Sequence, residues 1–504
     1  MVRGITKIWI RQGSVSVYGA LLHESPQVYT IFASIAESLP EILAQTKIAE
    51  FQLECIPSAN SSFPSTLNVP GKLGRAARSS QMTFRVVEAD REDIEGSLDS
   101  RTSTMDEQIY SIFLKATNSF QISRQPMGDE NTQDKEVVRP RILVLGNRSG
   151  STSKACIGII NRLLTEKHQG QTNDQVALLD LDHISPMFAC PGTASLALIK
   201  APILGPSYTS PLHINSSATN RLICSYYVGN VESTTKPYHT TFVESLLKKN
   251  IENMPLVIRV GARFGALSAQ QIVSFTTTIK PSLNICIASS RSSELYEIGK
   301  TIAEQSSGVF SRLVLRTTRS MPTMDVHRMS LQSHFRHVDV LGRGLQWLPK
   351  TGPTITSRSL SLPVGPNAHG LRFLVVHGGV LRYEDIGETL QNALVTIVAS
   401  YSREHTELLR DSQTLNVDPV SQTIHGGPPS FAIELRQLGE DAVFLQHVGL
   451  AYVDSLNEST GSITLITTVS QDEVQRYLET DYELGLVLEK PSADGRFAPR
   501  LLFD

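Results

Sequence analysis

Apolar and polar positions alternate one by one at the start of the chain. Ile8, Ile10, Val15, Val17 and Tyr18 follow this rhythm about a turn at Gln12-Gly13, the period of half-buried strands. The same pattern predicts strands over Tyr29 to Ala33, Ala49 to Ile56 and Met82 to Glu88, with a Ser/Pro/Gly-rich surface loop over 57–81. Glu107 to Ala116 carries apolar residues at helical spacing, and the polar, aperiodic 128–136 reads as a linker. From Pro140 short apolar runs alternate with helical segments. Ile142–Leu145, Val176–Leu181, Leu256–Ile258, Leu283–Ala288 and Leu313–Leu315 read as buried strands. Cys156, Ile159, Ile160, Leu163 and Leu164 mark one face of a helix. Strands separated by helices predict a parallel, doubly wound sheet. After about residue 345 the rhythm returns to β, over Leu371–Val376, Leu394–Val398, Val443–Val453 and Ser462–Val469, punctuated by Gly378-Gly379 and Gly426-Gly427. The expected organisation is an N-terminal β domain (1–95), a helix and linker (96–137), an α/β core (138–344) and a C-terminal β domain (345–504).

Composition narrows the class. At 504 residues, with 40% hydrophobic and 19% charged positions, the chain is globular and long enough for roughly three domains. Lys+Arg at 46 against Asp+Glu at 49 excludes a uniformly basic nucleic-acid coat. The cysteines form no CxxC pair, which excludes a zinc finger and a disulfide scaffold and fits a reducing compartment. No apolar run reaches the length of a membrane span, and Arg3, Lys7 and Arg11 interrupt the layout of a signal peptide. The expectation is a soluble, intracellular protein without a membrane partner. Arg312, Arg316, Arg319, Arg328 and Arg336 form a basic stretch that reads either as a patch for RNA phosphates or as a solvated face. His334 and His337 have metal-like spacing but no third ligand nearby, so they read as ordinary histidines.

The candidate chemistry lies at Gly146-Asn147-Arg148-Ser149-Gly150-Ser151-Thr152-Ser153-Lys154, between a buried strand and a helix. Backbone N–H groups and the helix dipole make such a loop a phosphate cradle. The nucleotide-binding P-loop needs G-x-x-x-x-G-K-[ST]. Aligned on Gly150, the chain has Leu145 at the first glycine position, Gly146 one step late, Ser151 in place of lysine, and Thr152 keeping the hydroxyl that would hold Mg²⁺. The lysine normally neutralises β- and γ-phosphate charge, which serine cannot do; Lys154 and Arg148 are the nearby substitutes. The alternative is a plain capping loop, with Ser151, Thr152 or Ser153 as the cap. Asp180 and Asp182, at the end of the next strand, sit where a metal-holding or base-acting carboxylate belongs, or are simply solvated.

Leu179-Asp-Leu-Asp182, Pro191-Gly-Thr-Ala-Ser-Leu196 and Pro202-Ile-Leu-Gly-Pro-Ser-Tyr-Thr209 together resemble the polynucleotide 5′-hydroxyl kinases, in their pre-rRNA-processing branch. Tyr226-Tyr-Val-Gly229, Pro255-Leu-Val-Ile258, Arg328-Met-Ser-Leu-Gln-Ser-His-Phe335 and Gly13-Ser-Val-Ser-Val-Tyr-Gly19 extend the resemblance over most of the chain. It implies a P-loop NTPase-like parallel-sheet core flanked by N- and C-terminal β domains. It also implies ATP and Mg²⁺ on the loop from Gly146 to Thr152, and Thr152 and Asp182 at the metal. Asp182 would orient or deprotonate an RNA 5′-hydroxyl, and Arg328 would sit in a mobile lid as a cation for the transferring charge. Pre-rRNA as substrate, an endonuclease as partner, and a nuclear, nucleolar location follow from the same resemblance. Three elements depart from the family pattern: Ser151 at the lysine, His183-Ile184-Ser185 where the family has a Gly and a Gln after the Asp, and Arg259-Val-Gly-Ala-Arg-Phe264 without the Trp. Joint erosion points to weakened or lost catalysis, and an active RNA 5′-kinase is the alternative.

Overall fold

The N-terminal alternation folds into two small sheets. In the computed structural model the described residues are 4–33, 40–55, 139–146, 149–166, 173–214, 219–228, 238–249, 254–288, 294–313, 323–339, 345–347, 359–363, 372–376, 393–401, 445–457, 462–467, 469–479 and 482–489, with the single positions 109, 111, 251 and 391. Strand β1 (Gly4–Gln12) is the centre of one sheet. The strands β2 (Ser14–Val17) and β3 (Ala20–His23) form a hairpin, and β4 (Tyr29–Ala33), β5 (Leu43–Ala44) and β6 (Glu50–Cys55) follow. The sheets are ordered β4-β1-β6 and β3-β2-β5. The turn expected at Gln12-Gly13 is therefore a passage between sheets, with Gly13 at φ 75°. The tight hairpin lies at Tyr18-Gly19, both at positive φ as a primed turn requires. Period-two alternation reveals a strand but not its neighbour, which explains the difference. Ile8, Ile10, Val15, Val17, Leu22 and Ile31 close one core between the sheets. The strand expected at Met82 to Glu88, the loop 57–81 and the linker 128–136 lie outside the described residues. Of the expected helix Glu107–Ala116, positions 109 and 111 are described and helical.

The segment after Pro140 builds an α/β core. Its elements are β7 (Arg141–Gly146), α1 (Ser149–Thr165), β8 (Val176–Asp180), β9 (Thr193–Ile199), β10 (Arg221–Tyr227), α2 (Thr240–Leu247), β11 (Leu256–Val260), α3 (Ala269–Ile279), β12 (Leu283–Ile287), α4 (Glu294–Ser306), β13 (Val309–Leu313) and α5 (Thr323–Arg336). The strands run in the order β13-β12-β7-β11-β8-β9. All are parallel except β9, which returns antiparallel beside β8. The sequence places the last parallel strand at Leu313–Leu315; the described strand covers Val309–Leu313, and 314–315 lie outside the described residues. As the edge strand it is half-buried along most of its length, so its polar Ser311 and Arg312 conceal it. The predicted apolar face of α1 is buried throughout. Cys156, Ile159, Ile160, Leu163 and Leu164 pack with Ile142, Val144, Leu178 and Val257 of the sheet. Numbered along the chain, the five parallel strands lie 5-4-1-3-2. The crevice beyond the carboxyl ends of β7, β11 and β8 is thus the switch point where such folds place their sites.

Helix α1 also fastens the N-terminal sheets to this core. Asn161 Nδ2 donates to the carbonyls of Tyr18 and Ile203, 2.8 Å each, and its Oδ1 accepts from Ile203 N at 2.8 Å. Leu21 N donates to Thr165 Oγ1 at 2.7 Å. A Cβ on Gly19 would lie 2.6 Å from the Gly158 carbonyl, so only glycine permits this approach.

By contacts the chain divides into Met1–Ile223 with Glu232–Ser333, and Cys224–Val231 with His334–Asp504. In the second unit, β14 (His337–Asp339) pairs β15 (Leu345–Trp347). The others are β16 (Ser359–Pro363), β17 (Arg372–Val376), β18 (Leu394–Tyr401), β19 (Leu445–Asn457), β20 (Ser462–Thr467) and β21 (Tyr482–Glu489), with helix α6 (Gln471–Leu478). Strand β18 lies antiparallel between β19 and β21. Leu360, Val395, Ile397, Val453, Ile463, Leu465 and Leu486 form the core of this unit. Among the described residues no helix is long and apolar enough to cross a membrane.

Candidate functional site

The site begins where β7 meets α1. A Cβ on Gly146 would lie 2.6 Å from Thr152 Cγ2 and 3.2 Å from Ile287 Cβ, so glycine lets the helix start hard against the strand end. Asn147 and Arg148 lie outside the described residues. The helix opens at Ser149, whose side chain is likewise not described. Ser151, Thr152 and Ser153 are buried inside the helix, after its start at Ser149, and do not precede it as caps. Lys154 is half-buried on the following position.

The two carboxylates come from the end of β8. Asp180 is its last residue, and Asp182 follows two positions later; both are buried. Asp180 accepts backbone N–H groups from Asp182 (3.2 Å) and Met187 (2.6 Å), which orients it inward. Facing them is Arg259, on β11. Its Cα is in register with that of Asp180 across the sheet, so the two side chains stand on the same face, the one α1 covers. Arg259 is fully buried, at 0% exposure.

Its guanidinium ties the corner together. Nη1 donates to both oxygens of Asp180, at 2.9 and 3.1 Å, and to the Ser185 carbonyl at 2.9 Å. Nη2 donates to Asp182 Oδ2 at 2.8 Å, and Nε donates to Thr152 Oγ1 at 3.1 Å. The planar fork suits this set, because its donors diverge in fixed directions and each finds an oxygen. Downstream the backbone closes on the same group. A Cβ on Gly261 would lie 2.5 Å from Asp182 Oδ1. Phe264 is buried against Tyr238 and Phe275, ring centroids 5.3 and 5.0 Å away.

Two carboxylates flank one guanidinium in a dry corner. Burial pushes the Asp180 carboxyl up from its ordinary value. Arg259 opposes the shift, Asp182 adds to it, and the Met187 and Asp182 amides oppose it. Burial works against the Arg259 charge, but Asp180 and Asp182 outweigh it and hold its pKa above the ordinary value. Cys156 is buried under this corner and its thiol is pushed up by burial, consistent with a core cysteine.

The oxygens that would ligate Mg²⁺ are those Arg259 engages: Thr152 Oγ1 and both Asp side chains. A divalent ion within about 4 Å of the guanidinium meets a repulsion of about 8 kcal/mol at an effective dielectric of about 20. These residues, as arranged, do not fit the metal. The nucleotide loop fits in part. The first turn of α1 carries no acidic residue, which suits an anion. The residue at the lysine position is Ser151, and Arg259 turns its charge toward the carboxylates.

Through Arg259 the structure brings Thr152, Asp180 and Asp182 together. Arg328 lies on α5, its side chain outside the described residues. Of the expected basic stretch, Arg312 donates from Nε to the Ala288 carbonyl at 3.0 Å, which uses it within the fold. His334 is buried, and the side chain of His337 is not described. Arg259 was missed as a functional residue. The available signal was a charge inside the apolar strand run Leu256-Val-Ile-Arg-Val260, since an arginine in a fully buried strand demands partners.

No protein-family model matches the chain. It is similar to curated proteins named polynucleotide 5′-hydroxyl-kinase Grc3. That of Neosartorya fischeri is 24% identical over 96% of this chain and 65% of the relative, and that of Aspergillus fumigatus 23% over 96% and 64%. The chain therefore spans about two thirds of the length of these relatives (65% and 64%). The Gibberella zeae protein of the same name is 29% identical over 44% of the chain and 29% of the relative. Two solved structures of Clp1p with Pcf11p share the fold, at TM-scores of 0.52 and 0.51 and identities of 11% and 12%, each covering 97% of this chain and 94% of the solved chain. One of them describes the structural basis for ATP loss in a glycine-to-arginine point mutant.

Proposed function

From a chain homologous to the polynucleotide 5′-hydroxyl-kinase Grc3 proteins and built on a Clp1-like fold, we propose a kinase-fold protein whose phosphate transfer is weakened or lost, serving instead to hold RNA or an endonuclease partner in pre-rRNA processing. The nucleus, and within it the nucleolus, is the location that goes with this role. The observation that carries the reading is the buried Arg259. It engages Thr152, Asp180 and Asp182 at once, so the hydroxyl and carboxylates that would serve Mg²⁺ and the attacking 5′-hydroxyl are committed to a side chain. Ser151 supports the same reading, because it leaves the γ-phosphate without the lysine's charge.

In this reading each residue of the corner has a structural task. Asp182 is held away from general-base work by its bond to Arg259 and by the backbone at Gly261. Thr152 orients the guanidinium through its hydroxyl. When bound, ATP would supply the phosphate; its seat would be the first turn of α1, from Gly146 through Asn147, Arg148, Ser149, Gly150, Ser151, Thr152 and Ser153 to Lys154, with Arg328 as the only lid cation proposed.

The test is transfer of labelled γ-phosphate from ATP to a 5′-hydroxyl RNA by the purified full chain, beside a Grc3 relative. The expected rate is lower by at least about 10²–10³-fold, the cost of removing one strong electrostatic stabiliser. A rate matching the relative, abolished by Asp182→Asn, would overturn this reading in favour of an active RNA 5′-kinase.

A further inference from the structure

We propose that Arg259 is a resident cation standing in a divalent metal's place, and that the corner conceals a divalent-cation site which opens only when the guanidinium is removed. The inference rests on the corner used for the functional reading, but it is read by metal binding and not by phosphate transfer, so either can fail alone.

Three observations carry it. Arg259 touches Thr152 Oγ1, Asp180 and Asp182 together, and these are hard oxygen donors of the kind Mg²⁺ and Mn²⁺ take. The guanidinium is fully buried, so it belongs to the packed interior and does not visit from the surface. The oxygens are held by other parts of the fold. Asp180 is fixed by the Met187 and Asp182 amides, Asp182 is flanked by the backbone at Gly261, and Thr152 lies in the first turn of α1 against Gly146. Removing the side chain at 259 therefore leaves a preformed set of carboxylate and hydroxyl oxygens facing an emptied volume. A small divalent ion with its waters is the chemistry that set would take up. With Arg259 in place, a guanidinium fills the position between the two carboxylates.

The test uses the full chain and Mn²⁺ alone as probe, followed by the paramagnetic signal of the free ion and by the thermal midpoint. Wild type is expected to show no saturable binding up to about 1 mM Mn²⁺, a concentration that would fill even a weak protein oxygen site, and no midpoint change with chelator. Arg259→Ala is expected to bind one Mn²⁺ per chain, and its midpoint is expected to rise with Mn²⁺. Adding Asp182→Asn to that variant should abolish both effects. If Arg259→Ala does not fold without metal, folding on addition of Mn²⁺ supports the proposal. If it folds under neither condition, the ion does not take the guanidinium's place and the proposal is overturned. Stoichiometric Mn²⁺ binding by wild type that Asp182→Asn removes overturns the proposal. So does a folded Arg259→Ala that binds none.

Discussion

A guanidinium at 0% exposure, bracketed by two carboxylates, sets the energetics at the residue scale. Breaking such a buried pair costs about 3–5 kcal/mol, because the partner left behind is a charge without water. Here two acids share one base, and Asp180 carries the strain as a raised pKa, with burial first among its causes. The direction gives a pH prediction. A folded pKa above the unfolded value of about 3.9 means that the Asp180 contribution is complete below about pH 4 and is lost as pH rises through the folded value. The stability of wild type relative to Asp180→Asn should therefore decline as pH rises from about 4, in urea unfolding run at a series of pH values. A difference that stays flat, or climbs, would mean that Arg259 overcomes both burial and Asp182. Neither Asp180 nor Asp182 is unusual in the sequence. What could be read there was the oddity of Arg259 within an apolar run; what it touches could not be read, because β8 and β11 are separated by the whole of β9, β10 and α2.

Among elements, α1 does two jobs with opposite ends. Its first turn meets the carboxylate corner through Thr152, and its fourth turn holds the N-terminal sheets through Asn161. Asn161→Leu would keep the volume and remove the bonds to Tyr18 O, Ile203 O and Ile203 N. Each unsatisfied buried backbone group costs about 1–3 kcal/mol, so a loss of at least about 3 kcal/mol is expected in chemical denaturation. A loss under 1 kcal/mol would show that water replaces the amide at this seam. The apolar face of α1 and the strands β4, β7 and β8 were legible within a residue or two, because continuous or periodic apolar runs have few other uses. Which strands pair was not legible. The hairpin at Tyr18-Gly19 and the edge position of β13 depend on neighbours that the local pattern does not contain.

For the molecule as a whole, the chain has two contact units with separate hydrophobic clusters, one around α1 and the parallel strands and one around β18 to β21. Such a chain is not expected to unfold in one step. Scanning calorimetry should show a calorimetric enthalpy larger than the van 't Hoff value, with resolved or overlapping transitions; a single transition with equal enthalpies would count against it. Its near balance of charge, 46 basic against 49 acidic residues, leaves RNA binding, if present, to a local surface and not to the field of the whole chain.

By itself the sequence determined the α/β core, many of its strands, helix α1 and the erosion of the loop at Ser151. Hydrophobic periodicity and missing side chains are local properties, and a single chain displays them directly. Only the tertiary structure decided that a buried cation comes from β11, turned toward Asp180 and Asp182. Burying an ion is tolerable only where distant strands deliver its counter-charges, and that delivery is a property of the folded sheet.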